Sequence, residues 1–204
     1  MESLSIQFAR RATGACAALA AVLAVAPPAA SAATSTETAC VAPTLTQPFA
    51  PFGDNNQYAL APGETNDSFN ATGWKLSGGA KVVTGWLDGT KGDMLQLPSG
   101  AKAVSPVMCV TNAYSSARAM VKAVSGTGGV AVSATYAANW RGSGAVSVST
   151  GTLSRSGAAW SASSVVKITP LSSGGWQYAT FTLTAGGPGE YRLYNLYIDP
   201  RFRT

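Results

Sequence analysis

The chain has 204 residues, only 11% of them charged, a formal net charge of +5 and no histidine. The missing imidazole excludes Ser-His-Asp and Cys-His nucleophile arrangements, histidine zinc sites and histidine acid–base catalysis near neutral pH. Past Arg10 and Arg11 the basic residues are scattered, with only Arg201 and Arg203 close together, so the positive stripe that nucleic-acid binding needs is missing.

Residues 1–32 read as a secretory signal peptide. Arg10-Arg11 supply the positive region, Ala12 to Pro28 the apolar run, and Ala30-Ser31-Ala32 the small-residue cleavage site. The apolar run holds Gly14, ends at Pro27-Pro28 and falls short of the roughly 20 residues a membrane span requires. Phe8-Ala9 and Ala12-Thr13 do not fit the fuller twin-arginine pattern, which favours general secretion. The expected location is therefore extracellular, without stable membrane insertion. Cys16 leaves with the signal, and Thr13-Gly14-Ala15 before it lacks the apolar residue of a lipid-attachment site. The remaining pair, Cys40 and Cys109, is expected to form one disulfide in an oxidising compartment. Closing a loop of about 70 residues stabilises a fold by roughly 4 kcal/mol in the chain-entropy account.

Ala33 to Pro51 is rich in Thr, Pro and Ala and reads as an extended N-terminal arm. A single domain is expected over 52–204, built from short β-prone runs between Gly, Pro, Asn and Ser clusters. In chain order the predicted strands are Gln57 to Leu60, Gly73 to Ser77, Ala80 to Gly85, Met94 to Leu97 and Ala101 to Val104. They continue with Ala117 to Val124, Val130 to Ala137 and Val146 to Leu153. The last are Val165 to Ile168, Tyr178 to Thr184 and Glu190 to Ile198. Alternation is clear in Val130-Val132-Ala134-Tyr136 and in Ala179-Phe181-Leu183. From Tyr191 to Asp199 it predicts Tyr191, Leu193, Asn195, Tyr197 and Asp199 on one face. Period two means half-buried strands. About eleven of them in roughly 150 residues imply an all-β fold of two packed antiparallel sheets, a jelly-roll-like sandwich.

Without histidine, a hydrolase would need a carboxylate pair. The acids past the signal are Glu37, Asp54, Glu64, Asp67, Asp88, Asp93, Glu190 and Asp199, most of them in predicted turns, where ending a strand is role enough. Asp54-Asn55-Asn56 and Glu64-Thr65-Asn66-Asp67 gather oxygen ligands of the kind calcium prefers, though neither matches an EF-hand loop. Asp54, Asn55, Asp67 and Asp199 form the candidate set for a structural calcium, with structural turns as the default role, and no cofactor is required.

Five tryptophans and seven tyrosines are many for this length. Aromatic rings stack on the C–H faces of sugars while amides and guanidinium groups bond hydroxyls, within the usual anatomy of a ligand site. Trp140, in the loop-like Asn139-Trp140-Arg141, is the leading candidate with both its neighbours. Trp86, before the Asp88-Gly89 turn, is the second. Trp74, at the parity of Leu76, reads as core; a tryptophan is more often packing than ligand contact.

Cys40-Val41-Ala42-Pro43, Gln47-Pro48-Phe49, Phe52-Gly53-Asp54 and Tyr58-Ala59-Leu60 resemble the opening of a family of small secreted proteins from high-GC bacteria, usually left without an assigned function. Phe69, Gly73-Trp74-Lys75-Leu76-Ser77-Gly78-Gly79-Ala80, Ser105-Pro106-Val107-Met108-Cys109-Val110 and Leu196-Tyr197-Ile198-Asp199-Pro200 continue the likeness. More distantly, Phe69 with Gly73-Trp74 and a final Tyr-x-Asp strand resembles the galactose-binding-like jelly rolls, a fold of many carbohydrate-binding modules. That resemblance implies a structural calcium held in part by acids after the phenylalanine and on the last strand. Here Asn70 and Tyr194-Asn195 stand in those places.

The expectation is a secreted, disulfide-stapled, non-catalytic β-sandwich that binds extracellular polysaccharide or cell-wall glycan. Two alternatives stand beside it. One is a structural or surface protein contacting another protein of unknown identity. The other is a glycan-cleaving enzyme, which requires two carboxylates roughly 5–10 Å apart in a cleft.

Overall fold

The computed structural model describes Cys40 and residues 43–66, 68–87, 89–111, 114–137, 144–154, 158–168 and 177–200. The predicted signal peptide lies outside them. Among the described residues no helix is long and apolar enough to cross a membrane.

The strands in chain order are β1 (Ala59–Leu60), β2 (Glu64–Thr65), β3 (Ser68–Phe69), β4 (Lys75–Ser77), β5 (Lys81–Leu87), β6 (Thr90–Pro98), β7 (Lys102–Val104) and β8 (Met108–Val110). They continue as β9 (Tyr114–Ser125), β10 (Gly129–Ala137), β11 (Val146–Leu153), β12 (Ser161–Ala162), β13 (Val166–Lys167), β14 (Gln177–Gly186) and β15 (Glu190–Pro200). One sheet runs β12-β9-β15-β6-β5, with β1 added on β15 and β13 on β9. The other runs β11-β10-β14-β7-β4, with β8 on β14, and β2-β3 stand apart as a hairpin. Every pairing is antiparallel. The two sheets share one buried cluster, which makes the fold a two-sheet jelly-roll-like sandwich, as the alternating sequence predicts.

Register explains how the core fills. Val130, Val132, Ala134 and Tyr136 of β10 oppose Ala185, Leu183, Phe181 and Ala179 of β14, and all eight are buried. In the other sheet Tyr191 and Leu193 of β15 lie between Leu97 and Leu95 of β6 and Ala123 and Val121 of β9. Each fully buried large side chain among these contributes about 1.5–3 kcal/mol. Trp74 is core, as its parity suggests, with its indole N–H donating to the Pro62 carbonyl at 2.9 Å. Gly63 sits at φ +80°, where a Cβ would collide with the Thr72 carbonyl oxygen; only glycine allows that crossing.

Three departures from the sequence-based expectation matter for the site. The last strand does not alternate to its end. Pairing with β9 shifts between Tyr194 and Tyr197, Asn195 turns to φ +57°, and 193–199 are buried on both parities. The hairpin β2–β3 has no alternation to read, since each strand is two residues long. The arm packs into the body from Thr46, which bridges Tyr58, and Phe49 is fully buried.

The expected disulfide forms. Cys40 and Cys109 are bonded with Cα atoms 5.6 Å apart, and Cys109 lies on β8. Cys109→Ser is expected to lower stability by about 4 kcal/mol. Urea unfolding with and without reductant checks this: reductant should move the parent's midpoint to that of the variant and leave the variant unchanged.

Candidate functional site

A cleft of about 360 Å3 opens where the last strand loses its regular pairing. Its floor is Met120 of β9 with Tyr194, Asn195 and Tyr197 of β15. The arm forms one wall. A short 3-10 turn, Ala50–Phe52, begins after Phe49 and ends at Gly53 in the left-handed conformation. That turn sends Phe49 into the core and leaves Phe52 45% exposed at the rim. Pro48 and Pro51 stiffen the same wall. Asn66, in the β2–β3 turn, forms a second wall, and Leu87 and Thr90 at the tip of the β5–β6 hairpin form a third.

The bulge holds the Asn66 wall in place. In the left-handed conformation, which asparagine adopts more readily than most residues, Asn195 donates its side-chain amide to the Asn66 carbonyl at 2.6 Å. The Tyr197 hydroxyl donates to Asn66 Oδ1 at 3.2 Å. Glu64 Oε2 accepts the Leu196 backbone N–H at 3.0 Å. Glu64 Oε1 and Asn195 Oδ1 are enclosed and find no hydrogen-bond partner among the described residues. Burial drives the Glu64 carboxyl up to about 8, although the Leu196 and Asn195 backbone N–H groups act against it.

Arg118 of β9 secures the arm. It donates to Asp54 Oδ2 at 2.6 Å through Nη1 and to the Ser163 carbonyl at 2.8 Å through Nε. Its guanidinium carbon lies 5.2 Å from the centre of the Phe49 ring. The other oxygen of Asp54 accepts the Asn56 backbone and side-chain N–H groups, and the Tyr58 hydroxyl donates to Oδ2 at 2.6 Å. Burial alone would raise Asp54, but these hydrogen bonds and the Arg118 charge hold its carboxyl below the usual range. Tyr58 moves upward, through burial and the adjacent carboxylate. Phe49, Tyr58 and Tyr197 meet edge to face, at centroid distances of 5.1 to 6.3 Å.

The predicted site residues fall in different places. Asn139, Trp140, Arg141 and Asp67 lie outside the described residues. Trp86 is 71% exposed, and it is its neighbour Leu87 that lines the cleft. Of the calcium set, Asp54 is committed to Arg118, Asn55 lends its carbonyl to Gln47, and Asp199 is fully buried and accepts from Ser116. Among the described residues no group of three or more Asp, Glu, Cys or His side chains could hold a metal ion. Among the described residues no carboxylate lines the cleft either.

The sequence analysis did not identify Phe49, Phe52, Tyr194, Tyr197, Asn66 and Asn195 as site residues. One local signal was available: Pro48-Phe49 and Pro51-Phe52 set two aromatics on a stiffened arm.

No protein family matches the chain, and neither does any curated protein. Among solved structures it is similar to the CBM22-1 xylan-binding domain of Paenibacillus barcinonensis Xyn10C: 13% identity over 71% of this chain and 94% of the other, TM-score 0.39. It is also similar to the family 11 carbohydrate-binding module from Clostridium thermocellum, in complex with a β-1,3-1,4-mixed-linked tetrasaccharide. There the identity is 13% over 65% and 91% of the two chains, with a TM-score of 0.33. A third is the carbohydrate-binding module CBM6cm-2 from Cellvibrio mixtus lichenase 5A with cellotriose, at 16% identity over 62% and 90%, TM-score 0.34. Likeness at this level assigns neither a family nor a ligand to the chain; the sandwich assignment stands on its own sheets.

The two acids respond to pH in opposite senses. Glu64 keeps in the folded state a proton that the unfolded chain releases near 4.5, so its effect on stability is unfavourable as pH rises from there to about 8. The contribution of Asp54 is complete above its ordinary value of 3.8 and is lost as pH falls through its lowered one. Glu64→Gln is expected to flatten the decline in thermal midpoint between pH 5 and pH 8 while leaving the acid limb unchanged. Calorimetry of parent and variant across that range checks it, and parallel decline in both would exclude the effect.

Proposed function

We propose that this protein is an exported, non-catalytic module that binds extracellular carbohydrate or cell-wall glycan in the cleft between arm, hairpins and bulged strand. The observation that carries the reading is the make-up of that cleft. Phe52, Tyr194 and Tyr197 supply ring surface and Asn66 an amide, around a space of about 360 Å3 with no charged residue among its described lining residues. Rings for C–H faces and amides for hydroxyls match the chemistry of an uncharged sugar, and the volume is within the range of ligand sites. The Cys40–Cys109 bond supports an oxidising destination. Asn139, Trp140 and Arg141, expected from the sequence to contact ligand, remain a second contact in this proposal, and Trp86 an outer one.

The experiment is retention of purified protein on insoluble polysaccharides and cell-wall material, with calcium and with chelator. Saturable retention on one glycan is expected. Phe52→Ala, at an exposed position, should weaken it roughly fivefold to tenfold, in keeping with the loss of one aromatic contact, without shifting the thermal midpoint. Retention lost in Trp140→Ala but kept in Phe52→Ala would move the site to residues 139–141. No retention on any material would turn the assignment to a protein-contacting surface role.

A further inference from the structure

The β5–β6 hairpin leaves its sheet before it ends. Strand β6 pairs with β15 only from Leu95 to Pro98, opposite Leu193 to Glu190. From Met94 to Thr90 its strand pairing is with β5 alone, while the Asp93 N–H donates to Ser68 Oγ of β3 at 3.4 Å. Its tip nevertheless reaches the cleft: Leu87 and Thr90 stand with Met120, although β9 is separated from β6 by β15 in the sheet. The hairpin therefore folds over the floor. Thr90 Oγ1 donates to the Leu87 carbonyl at 3.1 Å, a bond within the tip itself.

A tie to the body comes from Trp160, just before β12 on the far side of the sheet. Its indole N–H donates to the Trp86 carbonyl at 2.8 Å, one residue before Leu87. The same indole stands edge-on to Tyr194, with ring centroids 4.8 Å apart and planes at 78°. One side chain thus touches both the hairpin tip and a floor residue. We infer that Trp160 is a positioning residue for the cleft: it latches the hairpin wall and braces the Tyr194 ring, and so sets the width of the opening. The inference rests on the glycan reading of the cleft. The wall acts on ligand, and Trp160 acts on the wall.

Phenylalanine separates the two duties, because it keeps a ring against Tyr194 and loses the N–H. Trp160→Phe is expected to weaken glycan retention roughly fivefold to tenfold, the net effect of one hydrogen bond. It should speed amide hydrogen exchange at the β5–β6 tip by a similar factor, with the thermal midpoint within a few degrees of the parent. Trp160→Ala, which removes the brace as well, should weaken retention further. Unchanged tip exchange in Trp160→Phe overturns the latch. Faster exchange with unchanged retention overturns its role in binding. If the parent retains no glycan at all, the glycan reading has failed, and tip exchange alone decides whether the latch exists.

Discussion

The backbone at Asn195 bends into a conformation that side chains seldom adopt, and most of what surrounds the cleft follows from that bend. A regular strand would have continued pairing on both sides and kept alternate residues on alternate faces. At the bulge β15 instead loses register with β9, presents Tyr194, Asn195 and Tyr197 to one opening, and turns two backbone N–H groups toward Glu64. The β2–β3 hairpin is fastened at that point, through Asn66 and Glu64, and the β5–β6 hairpin is no longer held by β15 beyond Leu95. Bulges recur where a sheet must re-aim side chains, and here one bulge builds a floor and frees a wall.

The acids described beside the cleft are both offset. Asp54 is balanced by Arg118 at hydrogen-bond distance, and burial pushes the enclosed Glu64 carboxyl up toward its neutral form. The described lining of the cleft is therefore rings, aliphatic side chains and an amide, with no uncompensated charge among the described residues. A carboxylated or sulfated ligand would have to give up hydration without an opposite charge in return, which is costly in a partly enclosed site.

Much of the sandwich was legible in the sequence, because β10 and β14, the middle of one sheet, alternate strictly over most of their length. The pairing of Cys40 with Cys109 followed from arithmetic: once the signal is set aside, two cysteines remain. The last strand was misread where alternation was projected through Asn195, since a bulge changes parity without changing composition. The ion pair of Asp54 was hidden in the sequence because its partner, Arg118, is 64 residues away. Trp160 could not be distinguished from any other tryptophan, because what singles it out is a carbonyl 74 residues back and a ring on the last strand. Residues whose meaning lies in near neighbours could be read; those whose meaning lies in the folded meeting of distant segments could not.

The N-terminal arm touches both sheets, and the two attachments differ in kind. Through Cys40 it is covalently joined to β8, on the sheet of β14, while through Phe49 and Asp54 it is held by packing and charge to β9 and β15. The covalent joint comes first along the chain. Tension applied from the amino-terminal side reaches the disulfide before it reaches Phe49, and passes from there into the sheet that does not form the cleft floor.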